Sequence, residues 1–163
     1  MLNDDDLERY ARQVIMPDID EQGQQKLAAA KVLVIGAGGL GAPVILYLAA
    51  AGIGHITILD DDTVALTDLN RQIIYTMQNI GASKASQAAT AATKLNPVIV
   101  AEHLDARLSP DNAATLIEAH DIIVDCSDNP ETRQLVGTSC HHLKRPLVFG
   151  GAVQLEGQVA VFQ

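Results

Sequence analysis

"VLVIGAGGLG", residues 32–41, runs from an apolar segment directly into a turn rich in glycine. Gly36, Gly38 and Gly41 fit the pattern G-x-G-x-x-G. Between a strand and a helix, this pattern lets the backbone approach a phosphate at the helix N-terminus. Asp60 ends the next apolar segment, HITIL, where a carboxylate can accept hydrogen bonds from ribose hydroxyls. These features predict a nucleotide on a Rossmann-like sheet, and they do not separate NAD from ATP.

Apolar and alanine-rich segments alternate along the rest of the chain. The segments that predict strands are 31–35, 55–59, 98–104, 121–126, 146–151 and 158–162. Helices are expected between them, and two short helices, over 4–14 and 21–30, precede the first strand. Ser109-Pro110 and Asn129-Pro130 each resemble an N-cap followed by the first helical residue. The predicted fold is α/β, a Rossmann-like doubly wound, mostly parallel sheet with flanking helices.

The composition restricts the class of protein. The chain has 163 residues, of which 48% are hydrophobic and 19% charged, so one domain over 1–163 can bury a sizeable aliphatic core. A formal net charge of −9 argues against nucleic acid or an anionic membrane as the partner. No apolar run reaches transmembrane length, the N-terminus is acidic, and Cys126 and Cys140 make no disulfide framework. We therefore predict a cytoplasmic protein.

Charged and amide side chains near the predicted strand ends favour Mg-ATP over NAD. A triphosphate with magnesium needs cations at its phosphates and carboxylates at the metal, and the chain offers both. The set comprises Asp60, Asp62, Asn70, Arg71, Lys84, Asp128 and Asn129. NAD has no terminal phosphates that would require Arg71 and Lys84. Each cation also has an ordinary alternative, a solvated helix start for Lys84 and an ion pair with a neighbouring aspartate for Arg71.

Short motifs across nearly the whole chain occur in the order of the ubiquitin-activating-enzyme-like superfamily. They are RYARQ, GAGGLG, LDDDTV, LNRQ, IGASK, KLNP, CSDN and EGQVAVF. With them the chain resembles the ThiF/MoeB/HesA adenylyltransferases. The segment EQGQQKL and the run of three aspartates are closest to ThiF, the member of the thiamin pathway.

The resemblance implies an adenylation reaction. The C-terminal Gly-Gly carboxylate of a ubiquitin-like sulfur carrier protein of the ThiS type attacks Mg-ATP, pyrophosphate leaves, and an acyl-adenylate remains. The attacking carboxylate is already ionised at neutral pH, so no side-chain nucleophile or general base is needed. The alternatives are a MoeB-type adenylyltransferase for the molybdopterin carrier (MoaD type), a non-catalytic nucleotide-binding or dimerisation fragment, and a dehydrogenase that binds NAD.

The resemblance also implies roles for single residues. Gly39 lies against the nucleotide and Asp60 holds the ribose. The residues that face the phosphates are Asn70, Arg71 and Lys84. Asp128, with Asn129 beside it, is the magnesium ligand. Arg12 resembles the arginine that reaches into the neighbouring subunit's site, which implies a homodimer.

Two departures from the family pattern stand out. Asp68 lies where the family usually has Ser-Asn before the leucine, and this added carboxylate is expected either to face the metal or to weaken ATP binding. Family members continue past EGQVAVF into a loop over the carrier's tail and, usually, two CxxC pairs for structural zinc. Because neither follows here, we expect an adenylation domain truncated at its C-terminus, without zinc.

Overall fold

The computed structural model describes residues 2–163 and contains one six-stranded sheet. The strands are β1 Lys31–Ile35, β2 His55–Leu59, β3 Val100–Leu104, β4 Ile122–Asp125, β5 Leu147–Val153 and β6 Glu156–Phe162. The α-helices are α1 Asp4–Arg9, α2 Ala11–Val14, α3 Asp20–Ala29, α4 Gly41–Ala51, α5 Lys84–Leu95, α6 Ala113–Glu118 and α7 Pro130–Leu143. Two short 3-10 turns, 66–68 and 77–79, lie in the long connection between β2 and α5.

The strand order is β3-β2-β1-β4-β5-β6. The first five strands run parallel, and β6 pairs antiparallel with β5. The predicted Rossmann-like, mostly parallel α/β sheet is therefore confirmed. The chain order reverses between β1 and β4, and in such sheets a crevice opens beyond the carboxyl ends of the strands at this reversal.

Both faces of the sheet are covered by helices, because β1 is apolar on both sides. Val32 and Val34 pack in the cluster that includes the small residues of α4 and α5. Leu33 and Ile35 point to the opposite face and pack with α6 and α7. The alternation fixes the sheet between two helical layers and leaves its carboxyl end open for a site.

Two predicted helices differ from the structure at their boundaries. The helix over 4–14 is broken at Tyr10, a buried residue whose hydroxyl oxygen accepts a hydrogen bond from Asn96 Nδ2 at 2.8 Å. The helix expected at Ser109-Pro110 begins only at Ala113, so that prediction is wrong. The Asn112 side chain accepts from the Ser109 N–H and donates to the Arg107 carbonyl, which closes a turn before the helix.

The capped start of α7 is confirmed. Pro130 is its first residue, and Asn129 Oδ1 accepts a hydrogen bond from the Thr132 N–H at 2.8 Å.

The two cysteines lie in the packed interior, where burial raises the pKa of Cys126 to about 12 and that of Cys140 to about 11. Across residues 2–163, no helix has both the length and the apolar surface of a membrane span.

Candidate functional site

A cleft of about 750 Å³ lies beyond the carboxyl ends of β1, β2 and β4. Its volume is within the usual range for a small-molecule site. The sequence-predicted residues that line it are Gly36, Gly38, Gly39, Asp60, Asp62, Arg71, Lys84, Asp128 and Asn129. Gly41, Asn70 and Arg12 are not part of its lining. The cleft thus brings together most of the expected site from four separate parts of the chain.

The glycines of the turn between β1 and α4 serve two different purposes. Gly36 has φ +90°, and a Cβ there would lie 2.9 Å from the Cys126 carbonyl oxygen. A Cβ on Gly41 would overlap the Gly36 carbonyl oxygen. These two glycines therefore allow the turn to fold. Gly38 and Gly39 would meet only the side chains of Gln72 and Arg71, at 3.8 and 3.6 Å, so their lack of side chains keeps the cleft open.

Asp60 ties the glycine turn to the end of β2. Its Oδ2 accepts a hydrogen bond from the Ala37 N–H at 2.7 Å, and its Oδ1 accepts from the Asp62 N–H at 2.9 Å. Burial raises the pKa of Asp60 against the effect of these two hydrogen bonds. The hydroxyl of the buried Tyr75 lies 2.8 Å from the Ala37 carbonyl oxygen and 3.1 Å from the Lys84 carbonyl oxygen. Tyr75 therefore connects the glycine turn to the first residue of α5.

Lys84 is held inside the cleft rather than solvated. The residue is 7% exposed, and its Nζ donates a hydrogen bond to Asp62 Oδ2 at 3.0 Å and lies 3.6 Å from Asp68 Oδ2. Burial opposes the charge, but the hydrogen bond to Asp62 and the nearby carboxylates outweigh it and raise the pKa of Lys84. A permanent cation therefore stands beside the glycine turn, at the first residue of α5.

Arg71 is the second cation facing this region. Its guanidinium lies 3.5 Å from Asp68 Oδ1 and donates hydrogen bonds to the Thr67 carbonyl at 2.9 Å and to Asn70 Oδ1 at 3.1 Å. The ordinary alternative considered for Arg71, an ion pair with a neighbouring aspartate, is thus present in this structure. Asn70 holds the arginine and does not line the cleft.

Asp68 faces both cations. Its Oδ2 accepts from the Ala65 N–H at 3.0 Å, and its Oδ1 accepts from Gln72 Nε2 at 3.1 Å. The hydrogen bond from Ala65 lowers the pKa of Asp68, and the charges of Lys84 and Arg71 lower it further. The carboxylate is ionised at neutral pH and forms a fixed counter-charge.

The opposite wall of the cleft is the segment between β4 and α7. Asp128 is exposed there, next to the helix cap Asn129. Arg133, which was not predicted as a site residue, donates to the Ser127 carbonyl from Nε at 3.3 Å and from a terminal nitrogen at 2.9 Å. Its guanidinium also lies 4.9 Å from the centre of the Phe149 ring. Its position near the start of a capped helix could have indicated Arg133 from the sequence. Its contact with Phe149 could not be predicted, because that residue is distant in sequence.

Carboxylate oxygens in the cleft fit Mg²⁺, which prefers oxygen ligands and retains several waters. The carboxylates of Asp60, Asp61 and Asp62 approach within 4.8 Å of one another. Asp60 already accepts two backbone hydrogen bonds, and Asp62 pairs with Lys84. Asp128 is the carboxylate on the opposite wall of the cleft, and it is exposed there.

A family model described as the ThiF family matches residues 10–163. The chain belongs to the ThiF family. It is 44% identical to the sulfur carrier protein adenylyltransferase of Thermus thermophilus, a match covering 97% of this chain and 58% of that protein. It is also 44% identical to the molybdopterin-synthase adenylyltransferase of Haemophilus influenzae, covering 94% of this chain and 63% of that protein. The chain therefore spans less than two thirds of the length of these curated relatives.

A solved structure shows where this ThiF-family chain stands among known folds. The E. coli tRNA N6-threonylcarbamoyladenosine dehydratase TcdA, in complex with ATP, is 30% identical and superimposes with a TM-score of 0.86. The match covers 94% of this chain and 65% of TcdA. The shared sheet and helices form a fold on which at least one relative binds ATP.

Proposed function

We propose that residues 1–163 form an ATP-binding adenylation domain that transfers AMP to the C-terminal carboxylate of a ubiquitin-like sulfur carrier protein. The observation that carries the proposal is the convergence of two cations, Lys84 and Arg71, on the glycine turn in one cleft. A hydride-transferring site for NAD would have no need of cations for terminal phosphates. The ATP complex of TcdA supports ATP as the nucleotide, and the names of the two curated relatives support adenylyl transfer as the reaction.

The chemistry asks for positioning and charge neutralisation. The carrier's carboxylate oxygen attacks the α-phosphorus of ATP, a new O–P bond forms, and the bond to the β-phosphate oxygen breaks as pyrophosphate leaves. Lys84 and Arg71 reduce the repulsion between the anionic carboxylate and the anionic phosphates. Asp60 binds the ribose, and Gly38 and Gly39 admit the phosphates. Mg²⁺, held by Asp128, would supply further neutralisation of the phosphate oxygens.

The carrier is proposed to be of the ThiS type, of the thiamin pathway. The name of the Thermus relative supports a sulfur carrier in general, and the name of the Haemophilus relative favours a molybdopterin carrier of the MoaD type as the second candidate. The chain covers only part of both relatives, so a third candidate function is a fragment that binds nucleotide without catalysing the reaction. The net charge of −9 favours a protein rather than a nucleic acid as the partner. We also propose that the protein acts in the cytoplasm.

Exchange of labelled pyrophosphate into ATP tests the proposed reaction. With Mg-ATP, we expect exchange only when a carrier ending in Gly-Gly is added, because the adenylate forms reversibly at that carboxylate. Carriers of the thiamin and molybdopterin types are compared, each beside a control carrier that lacks the terminal glycine. Calorimetry gives the complementary result, in which ATP binds and NAD does not. NAD binding without ATP binding contradicts the proposal, and ATP binding without exchange identifies the non-catalytic fragment.

Arg12 leads to a proposed homodimer. It is exposed on α2 and lies outside the cleft of its own chain, which suits a residue that acts on a second copy. We expect Arg12→Ala and Arg71→Ala chains, each inactive alone, to recover about a quarter of the wild-type exchange activity when mixed, because half of the dimers are mixed and each contains one intact site. Mixing each variant with itself is the control, and a lack of recovery contradicts the role across the dimer.

A further inference from the structure

Asp68 stands between the two cations that face the nucleotide cleft. One of its oxygens is 3.5 Å from Arg71, and the other is 3.6 Å from Lys84. The residue is 7% exposed and lines the cleft. Its negative charge therefore acts where the proposed function needs positive charge.

The second carboxylate beside Lys84 behaves differently. The Asp62 side chain is 69% exposed, and its carboxylate can turn into solvent when a phosphate takes its place on Lys84. Asp68 cannot turn away, because a backbone N–H and the Gln72 amide hold its two oxygens. The charge of Asp68 therefore remains beside the cations when a ligand binds.

The charge balance of the whole cleft points in the same direction. Five aspartates and four basic side chains line it, so negative charge is in excess before any ligand enters. A metal-free triphosphate adds about four negative charges, whereas its complex with a divalent cation adds about two. The fixed carboxylate penalises the first form more than the second.

We propose that Asp68 makes nucleotide binding depend on a divalent cation, by keeping a negative charge between Arg71 and Lys84. The inference rests on the proposed nucleotide site and deepens it. Asp68 is a specificity-determining residue, because it selects the metal complex of the nucleotide over the free anion. Of the two effects expected of an aspartate at this position, this role is the weaker binding of the bare nucleotide.

Asp68→Asn removes this charge and leaves the hydrogen bonds available. In this variant the remaining side-chain oxygen at position 68 can still accept from the Ala65 N–H. Gln72 Oε1 is buried and, within the described part of the chain, has no hydrogen-bond partner. A rotation of the Gln72 amide would bring this oxygen to the amide nitrogen that the substitution introduces, so the pair would be satisfied again. The variant is therefore a test of charge with little change of shape.

The experiment is calorimetry of the full chain with ATP, once with excess EDTA and once with excess Mg²⁺. We expect Asp68→Asn to bind metal-free ATP about tenfold more tightly than the wild type and Mg-ATP within about threefold of it. Asp61→Asn is the matched control. It removes an exposed carboxylate of the same cleft, and we expect a gain of about twofold or less with metal-free ATP.

Several outcomes overturn the inference. Unchanged or weaker binding of metal-free ATP by Asp68→Asn does so, as does an equal gain for both forms of ATP. The wild type alone provides a second measurement that needs no folded variant, since it must bind Mg-ATP at least about tenfold more tightly than metal-free ATP. A wild type that binds neither form overturns the proposed nucleotide site together with the inference, whereas the other results overturn the inference alone.

Discussion

Replacing Lys84 with alanine is expected to weaken Mg-ATP binding about 100-fold or more, because it removes a cation that is already desolvated and oriented in the cleft. The Nζ atom is fixed by Asp62 and lies beside Asp68, so no other side chain can take its place without rearrangement. The loss is measured by calorimetry with Mg-ATP. Lys94→Ala is the control, since Lys94 is an exposed lysine of the same helix.

The variant also removes the cation from Asp62 and leaves Asp68 with Arg71 alone, so stability must be measured beside binding. Thermal unfolding of the Lys84→Ala chain separates a loss of fold from a loss of affinity. Lys84→Arg retains the charge and is expected to recover part of the binding, although the guanidinium cannot copy the geometry of the ammonium group. Binding by Lys84→Ala within about threefold of the wild type would contradict the role assigned to this lysine.

Gly41→Ala is expected to lower the free energy of unfolding by about 4 kcal/mol or more, among the largest effects of a single substitution. The added methyl group would overlap the Gly36 carbonyl oxygen, and neither this oxygen nor the backbone that carries the methyl group can move away without separating α4 from β1. Urea unfolding followed by circular dichroism measures the change.

Gly38→Ala is the matched control for this prediction. It lies in the same turn, and its added methyl group would meet only the Gln72 side chain at 3.8 Å. We expect this variant to unfold within about 1 kcal/mol of the wild type, while its nucleotide binding falls because the methyl group enters the cleft. Equal unfolding midpoints for the two variants would show that close packing at Gly41 does not limit the fold.

The sheet could be predicted from sequence because its signals are local. The segment KVLVI, the glycine turn and the HITIL segment each carry their own pattern, and their bounds agree with β1 and β2. The same holds for Asn129-Pro130, where the cap bonds to a residue three positions later. Ser109-Pro110 has an equal local pattern, yet the side chain of Asn112 closes a turn there first. The bonds of the Asn112 side chain decide this case, and they are not part of the Ser-Pro pattern.

The sequence predicted many of the residues that line the cleft, but it did not predict which of them contact one another. The types of residue that a triphosphate requires identified Lys84 and Arg71, and both line one cleft. Their partners could not be predicted, because Asp68 meets Lys84 only after the connection from β2 to α5 has folded back on itself. Arg133 likewise combines a hydrogen bond to the nearby Ser127 carbonyl with a contact to the ring of Phe149, which is distant in sequence.

The pairing of β1 with β4 joins two distant parts of the chain. Val32 pairs with Ile122, and Asp121 accepts a hydrogen bond from the backbone N–H of Lys31, a residue 90 positions earlier in the chain. Closing a loop of this length costs conformational entropy, which makes the pairing of β1 with β4 a costly step in folding. The two walls of the cleft meet only at this step. A ligand that needs both walls therefore binds only chains in which β1 and β4 are paired, and its binding free energy adds to the stability of that paired state.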